Sequence, residues 1–239
     1  MPKIDVVLTP ALWSIHDATD KMVVVIDIFR ATSTICAALH FGANSVLPIR
    51  EADETLTYSQ QGYLTAGERN GKALEAFDFG NSPVLIQNDI LRGVKLALTT
   101  TNGTKCFELA KHANCHQVLS GSFMNIQATA NYLKAQSKDI VLLCAGWKDH
   151  FNLEDSLFAG ALVTILADDF EIDTDASLLC KNLYHCAQEL GFHEFLKQSS
   201  HYKRLSQYDA SGDMELCLKH DLYHQVVILK DNHLVLLAD

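Results

Sequence analysis

Five short stretches gather acidic, basic and hydroxyl side chains at spacings that suit the handling of anions. In the first, Asp27 closes an apolar run, and Arg30, Thr32, Ser33 and Thr34 follow it. An acid at a strand's end, with an arginine and hydroxyls at a helix start, can hold a divalent cation and an anion together. Backbone N–H groups and the helix dipole favour the anion, and a guanidinium offers its oxygens a planar fork. The plainer reading has Thr32 or Ser33 capping a helix while Asp27 pairs with Arg30. A charged pair after an apolar strand is costly unless it faces a site, which favours the chemical reading.

The second stretch is Thr99-Thr100-Thr101-Asn102-Gly103-Thr104. Its hydroxyl and amide side chains around a permissive glycine make a nest for anion oxygens, or else Asn102 or Thr101 is simply an N-cap. Ser120-Gly121-Ser122-Phe123-Met124-Asn125 is similar and weaker. In the fourth, Glu154 and Asp155 begin a helix beyond another apolar run. Carboxylates suit a helix start in any case, and Asn152 with Asp155 resembles a capping pair. Their placement at a strand's carboxyl end, like that of Asp27, also suits a metal. The fifth, Gly67-Glu68-Arg69-Asn70-Gly71 followed by Phe77-Asp78-Phe79-Gly80-Asn81-Ser82-Pro83, departs from the surrounding rhythm. Glycines at both ends let a loop fold over a pocket, where Arg69 can clamp a second anionic group. Taken singly, this stretch reads more simply as a surface loop, with Pro83 opening a helix.

Several standard signatures fail. Gly67 to Gly71-Lys72 has the wrong spacing for a phosphate loop, and Gly80-Asn81-Ser82-Pro83-Val84 lacks the last glycine of a nucleophile elbow. No cysteine lies five residues ahead of an arginine, and Phe29 replaces the second aspartate of a haloacid-dehalogenase pair. His112, Cys115 and His116, like Cys180 and Cys186, lack the matching second pair of a zinc site.

The elements that must position these residues follow from patterning. Apolar, β-branched runs at 5–8, 22–26, 45–49, 94–99, 117–120 and 139–144 read as buried strands. Between them, 32–41, 51–61, 103–113, 125–135 and 157–166 have helical spacing. Strand–helix alternation predicts parallel pairing through right-handed crossovers, hence an α/β three-layer sandwich with a mostly parallel central sheet. In such sheets ligands sit beyond the strands' carboxyl ends, where four of the five stretches fall. After residue 174 the chain becomes more helical (175–190, 194–198, 214–219), and 225–229 and 234–237 pair around the turn 230–232. Without a Pro-, Gly- or Ser-rich linker, 1–239 reads as one domain, with room for a helical lobe within 170–220.

The formal net charge of -10 argues against a nucleic-acid partner, and no apolar run reaches the ~18 residues of a membrane span. The N-terminus lacks the pattern of a signal peptide. Seven cysteines, mostly in apolar segments, read as reduced thiols of a soluble cytoplasmic protein. Oligomeric state, including a homo-oligomer, stays open.

Taken in order, Val24-Val25-Ile26-Asp27-Ile28-Phe29-Arg30-Ala31-Thr32-Ser33-Thr34, Gly67–Gly71, Phe77–Pro83, Thr99–Thr104 and Leu153-Glu154-Asp155 resemble the 2-phosphosulfolactate phosphatase family. The resemblance runs from about residue 4 to 160 and loosens thereafter; where a Val-Pro is expected in the final apolar strand, this chain has Gln225-Val226-Val227-Ile228. It implies a Mg²⁺-dependent acid phosphatase that hydrolyses 2-phospho-3-sulfolactate to 3-sulfolactate and phosphate, a step of coenzyme M synthesis, on a fold unlike other phosphatases. On that reading Asp27 with Glu154 or Asp155 holds Mg²⁺, and Arg30, Thr32 and Ser33 bind the phosphoryl group. Arg69 and the loop of Thr100, Thr101, Asn102, Gly103 and Thr104 hold the carboxylate and sulfonate, with Ser122 or Asn125 completing the cradle. Asp27 as nucleophile stays open, as do a phosphosugar isomerase or lyase and a non-catalytic binder of phosphorylated metabolites.

Overall fold

The computed structural model describes residues 1–172, 174–208 and 212–238. Its strands are β1 (Ile4–Val7), β2 (Met22–Ile26), β3 (Ser45–Ile49), β4 (Tyr63–Arg69), β5 (Lys72–Ala73), β6 (Lys95–Thr99), β7 (Gln117–Gly121), β8 (Ile140–Cys144), β9 (Val227–Lys230) and β10 (His233–Leu236). They form one ten-stranded sheet in the order β1-β8-β2-β7-β9-β10-β3-β6-β4-β5. Two parallel blocks, β1-β8-β2-β7 and β3-β6-β4, are joined by the antiparallel β9–β10 hairpin. The helices are α1 (Ala31–His40), α2 (Ala52–Thr57), α3 (Gly103–Lys111), α4 (Ile126–Gln136), α5 (Leu153–Leu166), α6 (Asp175–Leu190), α7 (Phe192–Leu196), α8 (Ser200–Leu205) and α9 (Asp213–Cys217).

The three layers follow from the two-residue period of a strand. Met22, Val24 and Ile26 of β2 pack into one core with α5 and α6, whereas Val23 and Val25 pack into a second with α1 and α3. β8 divides in the same way, Ile140, Leu142 and Cys144 against Val141 and Leu143. Both faces of the central strands are therefore covered, which is why these runs are continuously apolar rather than alternating. Helices α6–α9 account for the helical character of the later chain.

The structure refines the sequence reading in several places. The stretch 51–61 is no single helix: α2 ends at Thr57, a 3₁₀ turn runs to Gln61, and Gly62 stops it at φ 81°. Thr55 and Thr57 donate their hydroxyls back to the Glu51 and Glu54 carbonyls, a competition that weakens a helix. Helix α5 runs further back than the periodic run 157–166 and begins at Leu153, in agreement with the helix start read at Glu154 and Asp155, and Asn152 caps it by accepting from the Asp155 N–H at 3.0 Å. The stretch Gly67–Gly71, read as a loop, begins inside strand β4, which pairs with β6 and in which Gly67 lets the Thr99 side chain approach. The C-terminal hairpin pairs as read, turning at Asp231 and Asn232, both at positive φ, and it inserts at the middle of the sheet. No helix among the described residues is long and apolar enough to cross a membrane.

The packing of α5 on α6 depends on Gly160, where an added Cβ would lie 1.9 Å from the Cys180 carbonyl oxygen. Backbone cannot yield as a side-chain tip can, so Gly160→Ala is expected to destabilise the fold by ~1–3 kcal/mol despite alanine's better helix propensity. Urea unfolding checks this; an unchanged midpoint would mean that the two helices separate freely.

Candidate active site

The carboxyl ends of β2, β4, β6 and β8 deliver residues to one narrow cleft. Asp27 follows β2 and stands at the start of α1, where the Ala31 N–H approaches its Oδ1 at 3.4 Å. The Thr32 hydroxyl donates to the Asp27 carbonyl at 2.9 Å and accepts from its N–H at 3.2 Å, and Ser33 Oγ donates to the Ile28 carbonyl at 3.0 Å. Thr32 and Ser33 are fully buried and staple the strand-to-helix turn; neither lines the cleft.

Helix α5 brings Glu154 and Asp155 against Asp27. Asp155 accepts from Ile28 N at 2.8 Å through Oδ1 and from Gly146 N at 3.0 Å through Oδ2, tying the ends of β2 and β8 together. Glu154 Oε1 meets His201 Nδ1 from α8, while its buried Oε2 has no partner among the described residues. Glu68, in β4, accepts from Gly71 N at 2.5 Å and Thr101 N at 2.6 Å, so it sets the shape of two cleft loops.

This crowding of acids has electrostatic consequences. Burial, opposed by the His201 charge and reinforced by Glu68 and Glu154, raises the Asp27 pKa to about 7. Burial likewise pushes the Asp155 carboxyl well up, with Asp27 and Glu154 adding to the effect and its two backbone donors opposing it.

Two guanidinium groups face the acids. Arg30 donates through Nη1 to Asp213 Oδ2 at 2.5 Å and through Nη2 to the Gly71 carbonyl at 3.2 Å. Asp213 in turn accepts from Ser82 Oγ at 2.6 Å and Val84 N at 3.2 Å. Arg204 stacks on Trp147, its guanidinium carbon 4.6 Å from the ring centroid, and donates to the Asn70 carbonyl at 3.1 Å. Arg69 does not line the cleft: its guanidinium donates to the Glu68 and Arg50 carbonyls and to Thr99 Oγ1 at 2.8 Å.

Of the threonine-rich loop, Thr101 and Asn102 line the cleft. Thr100 and Thr104 bond to each other within the turn, and Gly103 lies so close to Asp27 that a Cβ would come within 2.7 Å of Oδ2. Ser122 caps its own turn by accepting from Met124 N, and Asn125 Nδ2 holds the Gln225 carbonyl at 2.9 Å; both stand outside the cleft. The sequence reading missed Glu68, Asn81, Trp147, His201, Arg204 and Asp213 as site residues. Glu68 and Asn81 sit in stretches it singled out, whereas His201, Arg204 and Asp213 lie on short helices with no local signal.

The acids suit a hydrated divalent cation. Asp27 and the unpartnered Oε2 of Glu154 are open donors, while both oxygens of Asp155 and of Glu68 accept from backbone N–H groups. No group of three or more metal-binding side chains is assembled among the described residues. Mg²⁺ needs none, since it keeps several waters and binds through one or two carboxylates and its substrate's phosphate.

The family described as 2-phosphosulpholactate phosphatase matches residues 7–232. A protein of Thermotoga petrophila named probable 2-phosphosulfolactate phosphatase is 36% identical over 233 residues, covering 98% of each chain. Proteins of the same name from Caldanaerobacter subterraneus (37%, 90% of each chain) and a Synechocystis species (36%, 83% of this chain and 85% of the relative) agree. The chain therefore belongs to the 2-phosphosulpholactate phosphatase family, whose members are phosphoric monoester hydrolases.

Proposed function

We propose that this protein is a Mg²⁺-dependent phosphatase acting on 2-phospho-3-sulfolactate, releasing phosphate and 3-sulfolactate. Family membership supports the reaction, and one observation carries the metal: two buried carboxylates have oxygens that backbone donors leave open, Asp27 lining the cleft with Arg30, and Glu154 buried behind its wall against the cleft residue His201. Asp27 and Glu154 would hold the ion, while Asp155 positions the turn between them. When bound, Mg²⁺ would neutralise phosphoryl oxygens and assist in-line displacement. Arg30 meets the phosphoryl group with the N–H donors that Asp213 and Gly71 leave unused, and Asp213 fixes its orientation. Glu68 holds the Gly71 and Thr101 loops so that backbone and side-chain donors face the ester. His201 keeps Glu154 in place. The cytoplasm is the compartment proposed, in keeping with seven unbridged cysteines, five of them buried, and coenzyme M synthesis is the pathway that 3-sulfolactate would enter.

A phosphate-release screen over small phosphorylated hydroxy acids, with Mg²⁺ and with chelator, tests the reading. Release from 2-phospho-3-sulfolactate that needs Mg²⁺ is expected; binding without release would point to a non-catalytic binder, and rearrangement without release to an isomerase.

Asp27→Asn keeps the shape of the side chain and removes its charge, so turnover should fall by orders of magnitude while circular dichroism stays unchanged. Retained Mg²⁺-dependent hydrolysis would remove Asp27 from the chemistry. Arg30→Lys supplies a point charge that cannot reach Asp213, Gly71 and a phosphoryl oxygen together, so kcat should drop on every phosphate ester. A variant that changed only KM would place Arg30 in ground-state binding instead.

The raised Asp27 pKa makes metal-free stability depend on pH. An unfolded aspartate titrates near ~3.9, and the folded one near 7. Between these values the folded state holds more protons, so this group's contribution falls as pH rises and levels off above about 7. Urea unfolding in chelator at several pH values should show that decline in the wild type and a shallower one in Asp27→Asn. Added Mg²⁺ should restore stability mainly at the alkaline end. Equal slopes in both proteins would argue against a buried, protonated Asp27.

A further inference from the structure

The cleft holds two guanidinium groups, and they are not equivalent. Arg30 is neutralised by Asp213, whose side chain is fully buried. Arg204 has no carboxylate within ion-pair distance among the described residues, and its one hydrogen bond goes to a neutral carbonyl. Two donors on its wall, Arg204 Nε and Trp147 Nε1, are shielded from water and have no acceptor among the described residues. Arg204 itself is half-buried and feels the charges of Glu68 and Glu154 only at a distance, but buried N–H groups left without acceptors are costly, so this wall has hydrogen-bonding capacity for an anion that the described residues do not use.

Position gives that capacity a meaning. Arg30 and Arg204 bond to the carbonyls of Gly71 and Asn70, consecutive residues in one tight turn. Two guanidiniums anchored on neighbouring peptide units, ~3.8 Å apart from Cα to Cα, suit a ligand whose two anionic groups sit on neighbouring carbons. The turn is built to admit them. Gly71 lies at φ 87°, and an added Cβ would meet Leu205 Cδ2 at 3.1 Å and Arg204 Nη1 at 3.4 Å. Glu68 locks the turn through the Gly71 N–H, and the Trp147 ring supports the Arg204 guanidinium, whose carbon lies 4.6 Å from the ring centroid.

We propose that Arg204, braced on Trp147, is the specificity-determining cation that receives the substrate's second acid group, carboxylate or sulfonate, while Arg30 serves the phosphoryl group. The assignment rests on the phosphatase reading above. It gives the distal acid to α8, from the C-terminal part of the chain, and leaves Arg69 to the structural hydrogen bonds in which it is engaged.

The test compares wild type, Arg204→Met and Arg204→Lys on 2-phospho-3-sulfolactate, 2-phospholactate and p-nitrophenyl phosphate. Inhibition by 3-sulfolactate and by inorganic phosphate is measured alongside. In Arg204→Met the kcat/KM ratio of the sulfonated ester to the aryl ester should fall at least tenfold, chiefly through KM. The Ki of 3-sulfolactate should rise much more than that of phosphate. A drop confined to the sulfonated ester assigns Arg204 to the sulfonate, and one shared with 2-phospholactate assigns it to the carboxylate. Arg204→Lys, which keeps the charge and loses the fork, should show the same changes in smaller measure and guards against misfolding of the methionine variant. Equal losses on all three esters, or equal rises in both Ki values, would overturn the assignment and move Arg204 to the phosphoryl group. Failure of the phosphatase reading is seen separately, as absence of phosphate release by the wild type.

Discussion

The structure is organised around a cluster of carboxylates, Asp27, Glu68, Glu154 and Asp155, taken out of water at one end of the sheet. Their lost hydration and mutual repulsion must be met by donors, and the donors are unevenly shared. Asp155 and Glu68 are satisfied by backbone N–H groups on both oxygens, so they act as clamps that fix the surrounding loops. Glu154 is met on one side by His201, and among the described residues Asp27 receives one long backbone contact to its carboxylate, from Ala31. The same line separates two kinds of acid: Asp155 and Glu68 hold the shape of the loops, and Asp27 and Glu154 keep oxygens that backbone donors leave open.

Bringing those acids together requires an unusual sheet. The parallel blocks supply Asp27, Trp147, Glu68 and Thr101 from the ends of separate strands, and the β9–β10 hairpin joins the blocks across the centre. The chain's last strands are thus needed to close the sheet that its first strands begin. Asn125 strengthens the same junction by holding the Gln225 carbonyl just ahead of β9. Helices α8 and α9 complete the cleft from above with His201, Arg204 and Asp213.

The hydroxyl-rich stretches show how one composition serves two purposes. Thr32, Ser33, Thr100 and Thr104 are the residue types that would cradle an anion, yet their hydroxyls are consumed by backbone groups of their own turns. A sharp strand-to-helix turn leaves carbonyls and N–H groups without regular partners, and a hydroxyl one turn away satisfies them. Those turns set Asp27 and Thr101 facing the cleft, so the hydroxyls act at one remove.

Local pattern alone determined the alternation of strands and helices, the covered sheet, and the placing of Asp27, Arg30, Thr101, Asn102 and Glu154 near strand ends. These follow from periodicities of two and 3.6 residues and from the rule that strand ends open onto loops. Tertiary structure decided the rest. Residues 63–69 form a strand because β6 offers them an edge, which no property of Thr65-Ala66-Gly67 announces. Arg69 and Arg204 exchange the places their surroundings suggest: the glycine-flanked one is tied to Thr99 and Arg50, and the one on an ordinary short helix faces the cleft. Which way a guanidinium points depends on the carbonyls and rings within its reach. Those partners come from residues tens to more than a hundred positions away, so only the folded chain brings them together.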